Sequence, residues 1–254
     1  SHGTFLKGLN VVANGLKLSD KDIVMMFALP LYHMFAMVVD VLVPVCKGST
    51  IVMVPGLSIP SLTEAIEKEK GTVLVGVPAI HALAIETAEK EGVKHDTSSL
   101  RFVGSAGAPL PIESRKRFNK YYGIDITEFY GTSETPTIFT LQPLDGSGKF
   151  GSVGKIQPGV ELKIVDDNGQ EVPRGQAGEI VLRGCLMDSY YKNPEATAEV
   201  IKNGWYYTSD IGKIDEDGYV FILGRKKDMI IVSGHNVYPV DIEDTLHTHP
   251  KVAE

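Results

Sequence analysis

The sequence of 254 residues is poor in cysteine, has no long apolar run and carries no excess of positive charge. Its two cysteines, Cys46 and Cys185, are too far apart for a zinc motif or a disulfide framework. This usage fits a reducing compartment, so the cytoplasm is the expected location. The most apolar run, 36–45, is broken by Asp40 and Pro44. No stretch reaches the roughly 18–20 apolar residues of a membrane helix, which predicts no integral membrane segment.

The balance of charge excludes another class of partner. The net charge is −7, so no global basic field attracts nucleic acid or anionic lipid. The hydrophobic share of 43% and the charged share of 22% are ordinary for a folded globular chain. A phosphate-bearing ligand would therefore need local backbone donors, a few cations or a metal.

Residues 1–144 alternate between strand-period and helix-period segments. Apolar residues from Phe5 to Leu16 recur at helical spacing after Thr4, a good N-cap, and Ser61 with Glu64 forms a capping-box pattern. Further helices are predicted at 61–70, 79–91 and 109–121, and strands at 23–28, 50–54, 73–77, 100–103 and 125–130. This alternation predicts an α/β fold with a largely parallel sheet, whose ligands lie off the carboxyl ends of the strands.

The pattern changes after residue 144. Short β-rich runs at 160–165, 179–183 and 219–223 are separated by turn residues, with one short helix near 194–201. A charged break at 224–228 precedes a strand at 229–232 and a helix at 240–247. The predicted organisation is an α/β subdomain (1–144), a small β-barrel-like subdomain (145–224), and a hinge with the start of a truncated C-terminal α+β domain (225–254).

Two loops follow predicted strands and offer groups for a phosphate ligand. The segment GSAGAP at 104–109 has glycines that let a ligand approach the backbone, although a tight strand-to-helix turn explains them equally well. The segment YGTSET at 130–135 combines an aromatic ring, two hydroxyls and Glu134, a carboxylate of the kind that Mg²⁺ prefers. A polar turn with a half-buried tyrosine is the alternative.

Three further positions carry polar groups in apolar or charged surroundings. Asp210 ends the segment GWYYTSD and suits a vicinal diol such as a ribose, or it caps a turn. Arg225 offers a rigid fork of donors, but the charged run that it opens also suits a solvated linker. His33 lies among apolar residues, where a histidine is more often a satisfied core residue than a catalyst.

Taken in order, these segments resemble the adenylate-forming superfamily of acyl-CoA synthetases, luciferases and peptide-synthetase adenylation domains. The resemblance runs through LPLYH at 29–33, GSAG at 104–107, YGTSE at 130–134, YTSD at 207–210 and GRKKDMIIVSGHNVYP at 224–239. It covers nearly the whole chain, and the segments RKKDMIIVSGHNVYP at 225–239 and YYKNPEAT at 190–197 are most similar to fatty acyl-CoA synthetases.

The resemblance implies a role for each matching residue. Tyr130 would stack on adenine, beside Gly131, and Glu134 would ligate Mg²⁺. Thr132 or Ser133 would bond the α-phosphate. Asp210 and Arg225 would hold the ribose hydroxyls, and Lys227 would be the hinge. The remaining implied positions line the purine and acyl pockets (Gly104, Ser105, Ala106 and Gly107), line the pantetheine tunnel of CoA (Gly234) and gate the acyl pocket (His33).

Four departures from the family pattern qualify this resemblance. Ser133 replaces the threonine of the family's Y-G-x-T-E, and Ile231 stands where some members carry a lysine. The family's glycine-rich phosphate loop would precede Ser1, and its C-terminal catalytic lysine would follow Glu254. We therefore expect a fragment that is inactive alone.

The implied reaction is the activation of a carboxylic acid, most similar to a fatty acid, by ATP, followed by transfer to CoA. The small-molecule acid, ATP and CoA would be the partners, and a homodimer is compatible with the sequence. The alternatives are an amino-acid adenylation domain that loads a carrier protein, and a nucleotide- or acyl-binding fragment without turnover. A Rossmann dehydrogenase is disfavoured because no G-x-G-x-x-G follows the first strand.

Overall fold

A mixed seven-stranded sheet forms the first part of the computed structural model, which describes residues 1–232, 235–247, 249 and 252. Its strands are β1 (Ile23–Phe27), β2 (Thr50–Val54), β3 (Val73–Gly76), β4 (Phe102–Ser105), β5 (Ile126–Tyr130), β6 (Thr140–Leu141) and β7 (Lys155–Ile156). The order is β2-β1-β3-β4-β5-β6-β7, with the first five strands parallel and the last two antiparallel. The predicted parallel α/β sheet is thereby confirmed.

Helices pack on this sheet because its parallel strands are apolar on both faces. They are α1 (His2–Gly15), α2 (Met34–Ala36), α3 (Val43–Lys47), α4 (Ile59–Glu69), α5 (Pro78–Glu91) and α6 (Ile112–Tyr122). A π-helical turn, Met37–Leu42, joins α2 to α3. One buried cluster contains α1 residues such as Val12 with Val24 and Val75, and a second contains Met25, Leu74 and Ile85.

Two predicted helix starts are wrong by two or three residues. Ser1, and not Thr4, caps α1: its hydroxyl accepts from the Thr4 N–H at 3.4 Å. Ser58, and not Ser61, caps α4, with a bond of 3.3 Å from the Ser61 N–H. In both cases a serine three residues earlier takes the cap, because the hydroxyl of an N-cap bonds the N–H two or three residues ahead.

The second part is an antiparallel sheet, in the region where the sequence predicts a small β-barrel-like subdomain. It contains β8 (Glu161–Val165), β9 (Gly178–Arg183), β10 (Ile201–Lys202), β11 (Trp205–Ile214) and β12 (Val220–Arg225), with α7 (Pro194–Val200) before β10. The order is β10-β11-β9-β8, and β12 pairs with the opposite edge of β11. Phe139 packs in the same buried cluster as Leu162 and Ile180, so the two sheets share a core.

The last described part begins with a 3₁₀ turn, Lys226–Asp228, followed by the hairpin β13 (Ile230–Val232) and β14 (His235–Val237) and by α8 (Pro239–His247). The division at residues 144 and 224 stays a prediction, and β7 from beyond residue 144 completes the first sheet. Among the described residues, no helix has the length and apolar character needed to cross a membrane.

Candidate functional site

A cleft of about 1540 Å³ lies where the carboxyl ends of the parallel strands face the second sheet. Residues directly after β3, β4 and β5 line one side, and residues of β11, β12 and the 3₁₀ turn line the other. The next strand along the chain after β1 is β2, which lies on one side of β1. The strand after that, β3, lies on the other side of β1. Ligands of open parallel sheets bind at such a switch in strand order.

Most of the site residues predicted from the sequence line this one cleft. They come from five separate stretches of the chain and are His33, Ala106, Gly107, Tyr130, Gly131, Thr132, Ser133, Glu134, Asp210, Arg225 and Lys227. Two of the glycines meet local constraints. Gly107 has a φ of 86°, and a Cβ on Gly131 would clash with the carbonyl oxygen of Thr137.

Two predicted residues lie behind the cleft wall instead. Gly104 and Ser105 are inside β4, fully buried, and do not line the cleft. The Gly104 carbonyl accepts from Nε2 of His81 at 3.2 Å, and burial lowers the pKa of His81 to about 4, so this imidazole is neutral. The predicted pantetheine-lining residue, Gly234, lies outside the described residues.

Tyr130 and Asp210 meet across the cleft although they are 80 positions apart. The Tyr130 hydroxyl donates to Oδ2 of Asp210 at 2.5 Å. Burial and the neighbouring Asp210 charge raise the pKa of Tyr130 well above its usual range, so the phenol remains a donor. Burial also raises the pKa of Asp210, against the opposing influence of the Tyr130 bond and of Arg225.

A β-bulge presents Asp210 to the cleft. The pairing of β11 with β9 shifts register between Tyr207 and Ile211, and Ser209 adopts a left-handed φ of 62°. The Ser209 N–H donates to Oε1 of Glu179 at 3.1 Å, and the Asp210 N–H donates to the Thr208 hydroxyl at 3.0 Å. The N–H groups of Ser209 and Asp210, at the bulge, thus donate to polar side chains.

Arg225 is the direct cross-strand partner of Asp210 in the pairing of β11 with β12. Its Nε lies 3.6 Å from Oδ1 of Asp210, and its side chain is 65% exposed, against 14% for Asp210. The pair therefore has one sheltered acceptor and one solvated fork of donors, which can both contact a diol placed between them.

A tight turn after β5 holds the hydroxyl-rich segment. The Thr135 N–H donates to the Thr132 carbonyl at 3.1 Å, and the two hydroxyls are 3.2 Å apart. Thr132 and Glu134 are half-buried, while Ser133 is exposed. Oε1 of Glu134 accepts from the Tyr190 hydroxyl at 2.8 Å. Tyr190 is not among the site residues predicted from the sequence, where its only signal is its place in the segment YYKNPEAT at 190–197.

His33 is an exposed cleft residue and not a satisfied core histidine. Its Nδ1 accepts from the Phe35 N–H at 3.2 Å, which caps α2 and leaves Nε2 to carry the proton of the neutral ring. The cleft wall next to it is apolar, and the side chains of this wall are Val12, Met34, Phe35, Val38, Val39, Phe129 and Ile138.

The 3₁₀ turn after β12 is tied to the second sheet through its first lysine. Nζ of Lys226 lies 2.8 Å from Oδ1 of Asp167 and 3.3 Å from Oε2 of Glu179. Lys227, the predicted hinge, is exposed and lines the cleft. Glu179 thus contacts both the bulge that presents Asp210 and the segment that carries Lys227.

The family model described as AMP-binding enzyme matches residues 1–191. This chain belongs to the AMP-binding enzyme family. The match extends from α1 to the loop that contains Tyr190 and so includes the parallel sheet and one whole side of the cleft. The family assignment made from the ordered segments is thereby confirmed.

Curated relatives of this AMP-binding chain are CoA ligases. The long-chain-fatty-acid–CoA ligase of Escherichia coli O6:H1 is 39% identical over 229 residues, which are 89% of this chain and 40% of the ligase. The indoleacetate–CoA ligase of Aromatoleum aromaticum is 36% identical over 89% of this chain and 44% of its own length. This chain therefore spans less than half the length of these two relatives.

A solved structure extends the comparison to the fold. The anthranilate–CoA ligase AuaEII in complex with anthranoyl-AMP has a TM-score of 0.92 and 32% identity, covering 100% of this chain and 49% of AuaEII. The sheet-to-sheet arrangement around the cleft is thus an arrangement found in an acyl-adenylate complex.

Proposed function

We propose that the intact protein is an AMP-forming acid–thiol ligase that joins a carboxylic acid to CoA. The observation that carries this proposal is the convergence of Tyr130, Glu134, Asp210 and Arg225 on one cleft. The CoA-ligase names of the relatives support it. Because the chain is shorter than these relatives, the activity is proposed for the protein as a whole.

In this proposal the adenosine end of ATP lies beside Tyr130. The ring stacks on the purine near Ala106 and Gly107, and its hydroxyl keeps Asp210 oriented through their bond of 2.5 Å. Asp210 and Arg225 then receive the two ribose hydroxyls, one as acceptor and the other as donor. Each step uses groups that already line the cleft.

Thr132, Ser133 and Glu134 lie where the phosphates would follow. The described residues contain no group of three or more side chains able to hold a metal. Glu134 alone still fits Mg²⁺, which is commonly held by one or two carboxylates together with substrate phosphates and water. Bound there, Mg²⁺ would neutralise phosphate charge, while the hydroxyls of Thr132 and Ser133 would bond the α-phosphate.

The apolar wall indicates the class of acid. Val12, Phe35, Val38 and Val39 line it without a basic side chain among them, so it suits an aliphatic or aryl group better than a charged one. His33 lies at the same end and would gate entry. We propose a fatty or similarly apolar acid as substrate.

The proposed chemistry has two half-reactions. The substrate carboxylate attacks the α-phosphorus and pyrophosphate leaves, which gives an acyl-adenylate. The CoA thiol then attacks the acyl carbon and passes its proton to solvent. The bond from the acyl carbon to the phosphate oxygen breaks, and AMP leaves. Two reactions at one site require a rearrangement, which we assign to the hinge at Lys227.

ATP–pyrophosphate exchange by the intact protein tests the proposed function. A panel should contain fatty, aryl and amino acids, each with and without Mg²⁺. Exchange with apolar acids is expected. Exchange with amino acids alone would favour adenylation for a carrier protein, and no exchange with any acid would overturn the ligase.

The Asp210→Ala substitution tests the ribose site in the present chain. Loss of hydrogen bonds to a charged acceptor is expected to weaken AMP binding by roughly 1.5–3 kcal/mol. Calorimetry with AMP measures the change, and Asp20→Ala, at an exposed position outside the cleft, is the matched control. Equal AMP affinities in the two variants would contradict the assignment.

A further inference from the structure

Glu134 is contacted by a loop of the second part of the molecule, between β9 and α7. The Met187 N–H donates to the Glu134 carbonyl at 2.8 Å, and the Tyr190 hydroxyl donates to its Oε1 at 2.8 Å. The loop therefore holds both the backbone and the carboxylate of the residue that is the proposed magnesium ligand.

Tyr190 is itself fixed by its surroundings. Its N–H donates to the Thr197 hydroxyl at 3.0 Å, and its carbonyl accepts from the Asn193 N–H at 3.2 Å. The Asn193 side chain caps α7 by accepting from the Ala196 N–H at 3.0 Å. The phenol consequently projects from an anchored backbone and reaches Glu134 from a defined direction.

A second phenol lies at the same place. Tyr206 of β11 is buried, and its pKa is raised first by burial and then by the Glu134 charge and by Tyr190. Burial and the Glu134 bond also raise the pKa of Tyr190. The Tyr190 hydroxyl donates to the Glu134 carboxylate, which can only accept, and this bond defines the contact on which the inference rests.

We propose that Tyr190 is a positioning residue that fixes the rotamer of Glu134 so that the carboxylate faces the phosphate-binding end of the cleft. A carboxylate ligand held by a hydrogen bond binds a metal with less loss of side-chain freedom, and such supporting bonds govern metal affinity. This inference rests on the proposed function, because it takes Glu134 as the magnesium ligand.

The neighbouring tyrosine provides a matched control. Tyr191 follows Tyr190 in the same loop, but its side chain is 86% exposed. Tyr190→Phe and Tyr191→Phe remove the same atom from adjacent positions. Any effect of loop composition or of aromatic content is therefore common to both variants.

The test measures the ATP dissociation constant of the present chain by calorimetry, once with excess Mg²⁺ and once with EDTA. The factor by which Mg²⁺ lowers the ATP dissociation constant is the magnesium gain. In Tyr190→Phe we expect this gain to fall about 10-fold, the lower end of the range for groups that support metal ligands. AMP affinity in EDTA and the gain in Tyr191→Phe should stay unchanged.

A double-mutant cycle shows whether Tyr190 acts through Glu134. In the Glu134→Gln background, Tyr190→Phe should have no further effect on the magnesium gain. An equal effect in both backgrounds would overturn the proposal, as would an undiminished gain in Tyr190→Phe alone. Absence of ATP–pyrophosphate exchange by the intact protein would instead overturn the proposed function, and this inference with it.

Discussion

Two buried aspartates near opposite ends of the first sheet differ in their hydrogen-bond partners and in the direction of their pKa shifts. Asp22 precedes β1, at the end of the sheet away from the cleft, and Asp40 lies in the π-helical turn next to the cleft wall. Their residues are 4% and 0% exposed. Asp22 accepts from Ser19, Thr72 and Arg101, whereas neither carboxyl oxygen of Asp40 has a hydrogen-bond partner among the described residues.

The partners decide the protonation state of each group. For Asp22, burial acts to raise the pKa, but the bonds from Arg101, Ser19 and Thr72 outweigh it and lower the pKa to about 2. For Asp40, burial acts unopposed and raises the pKa well above the usual range. One carboxylate therefore stabilises the fold as a charge, and the other is tolerated as a neutral acid.

The largest expected effect comes from removing the charged partner. Asp22→Ala should lower the free energy of unfolding by about 2–3 kcal/mol at pH 7, because Arg101 and Thr72 lose their acceptor. Urea unfolding followed by circular dichroism measures this loss. Asp20→Ala, at an exposed position, should change stability by less than about 0.5 kcal/mol.

The pH dependence sharpens this prediction. The lowered pKa of Asp22 means that its contribution is present above about pH 4 and is lost as the pH falls toward 2. The difference in stability between the unsubstituted chain and Asp22→Ala should therefore shrink over this interval. A constant difference would show that packing, and not charge, accounts for the loss.

The opposite substitution should stabilise the protein. Asp40→Asn removes an acid whose pKa is raised in the folded state, so it should add about 1–2 kcal/mol at pH 7. The penalty that it removes begins as the pH rises through the ordinary carboxyl pKa, near 4, and grows above it. Thermal unfolding at pH 4 and pH 7 should show a gain at pH 7 alone, and an equal gain at both would contradict a neutral Asp40.

The smallest expected effect tests the geometry of the Asp22 site. Arg101 donates to Asp22 at 2.6 Å and also to the carbonyls of Leu16 and Lys17, at 3.3 and 3.2 Å. Arg101→Lys keeps the charge but loses the planar fork, and should cost about 0.5–1.5 kcal/mol. Urea unfolding that shows a loss as large as that in Asp22→Ala would mean that the fork contributes more than the charge.

The sequence could predict those elements of the fold whose residue pattern is local. Alternation of apolar strands and amphipathic helices located β1 to β5 within a few residues, because that pattern is local. The helical stretch from Met34 to Lys47 was not predicted, since it is apolar on most sides and has no clear period. The ten-residue strand β11 was also not predicted, because its bulge interrupts the alternation.

The site shows the same limit. The order of the sequence motifs predicted Tyr130, Glu134 and Asp210 as site residues, and all three line the cleft. The contacts of Tyr190 and Glu179 with the site could not be predicted, because each joins segments that are far apart in the chain. No local pattern encodes such a contact, and only the packing of the two sheets creates it.

Glu179 has a consequence for movement at Lys227, where we propose a hinge. One of its oxygens accepts from the Ser209 N–H, and the other faces Nζ of Lys226. A swing of the chain at Lys227 would release Lys226 to water and separate it from Glu179, whose side chain is 12% exposed. The bond to Ser209 would survive that swing. In the proposed ligase, a bound nucleotide would then keep its contact with Asp210 while the segment after Lys227 changes its orientation.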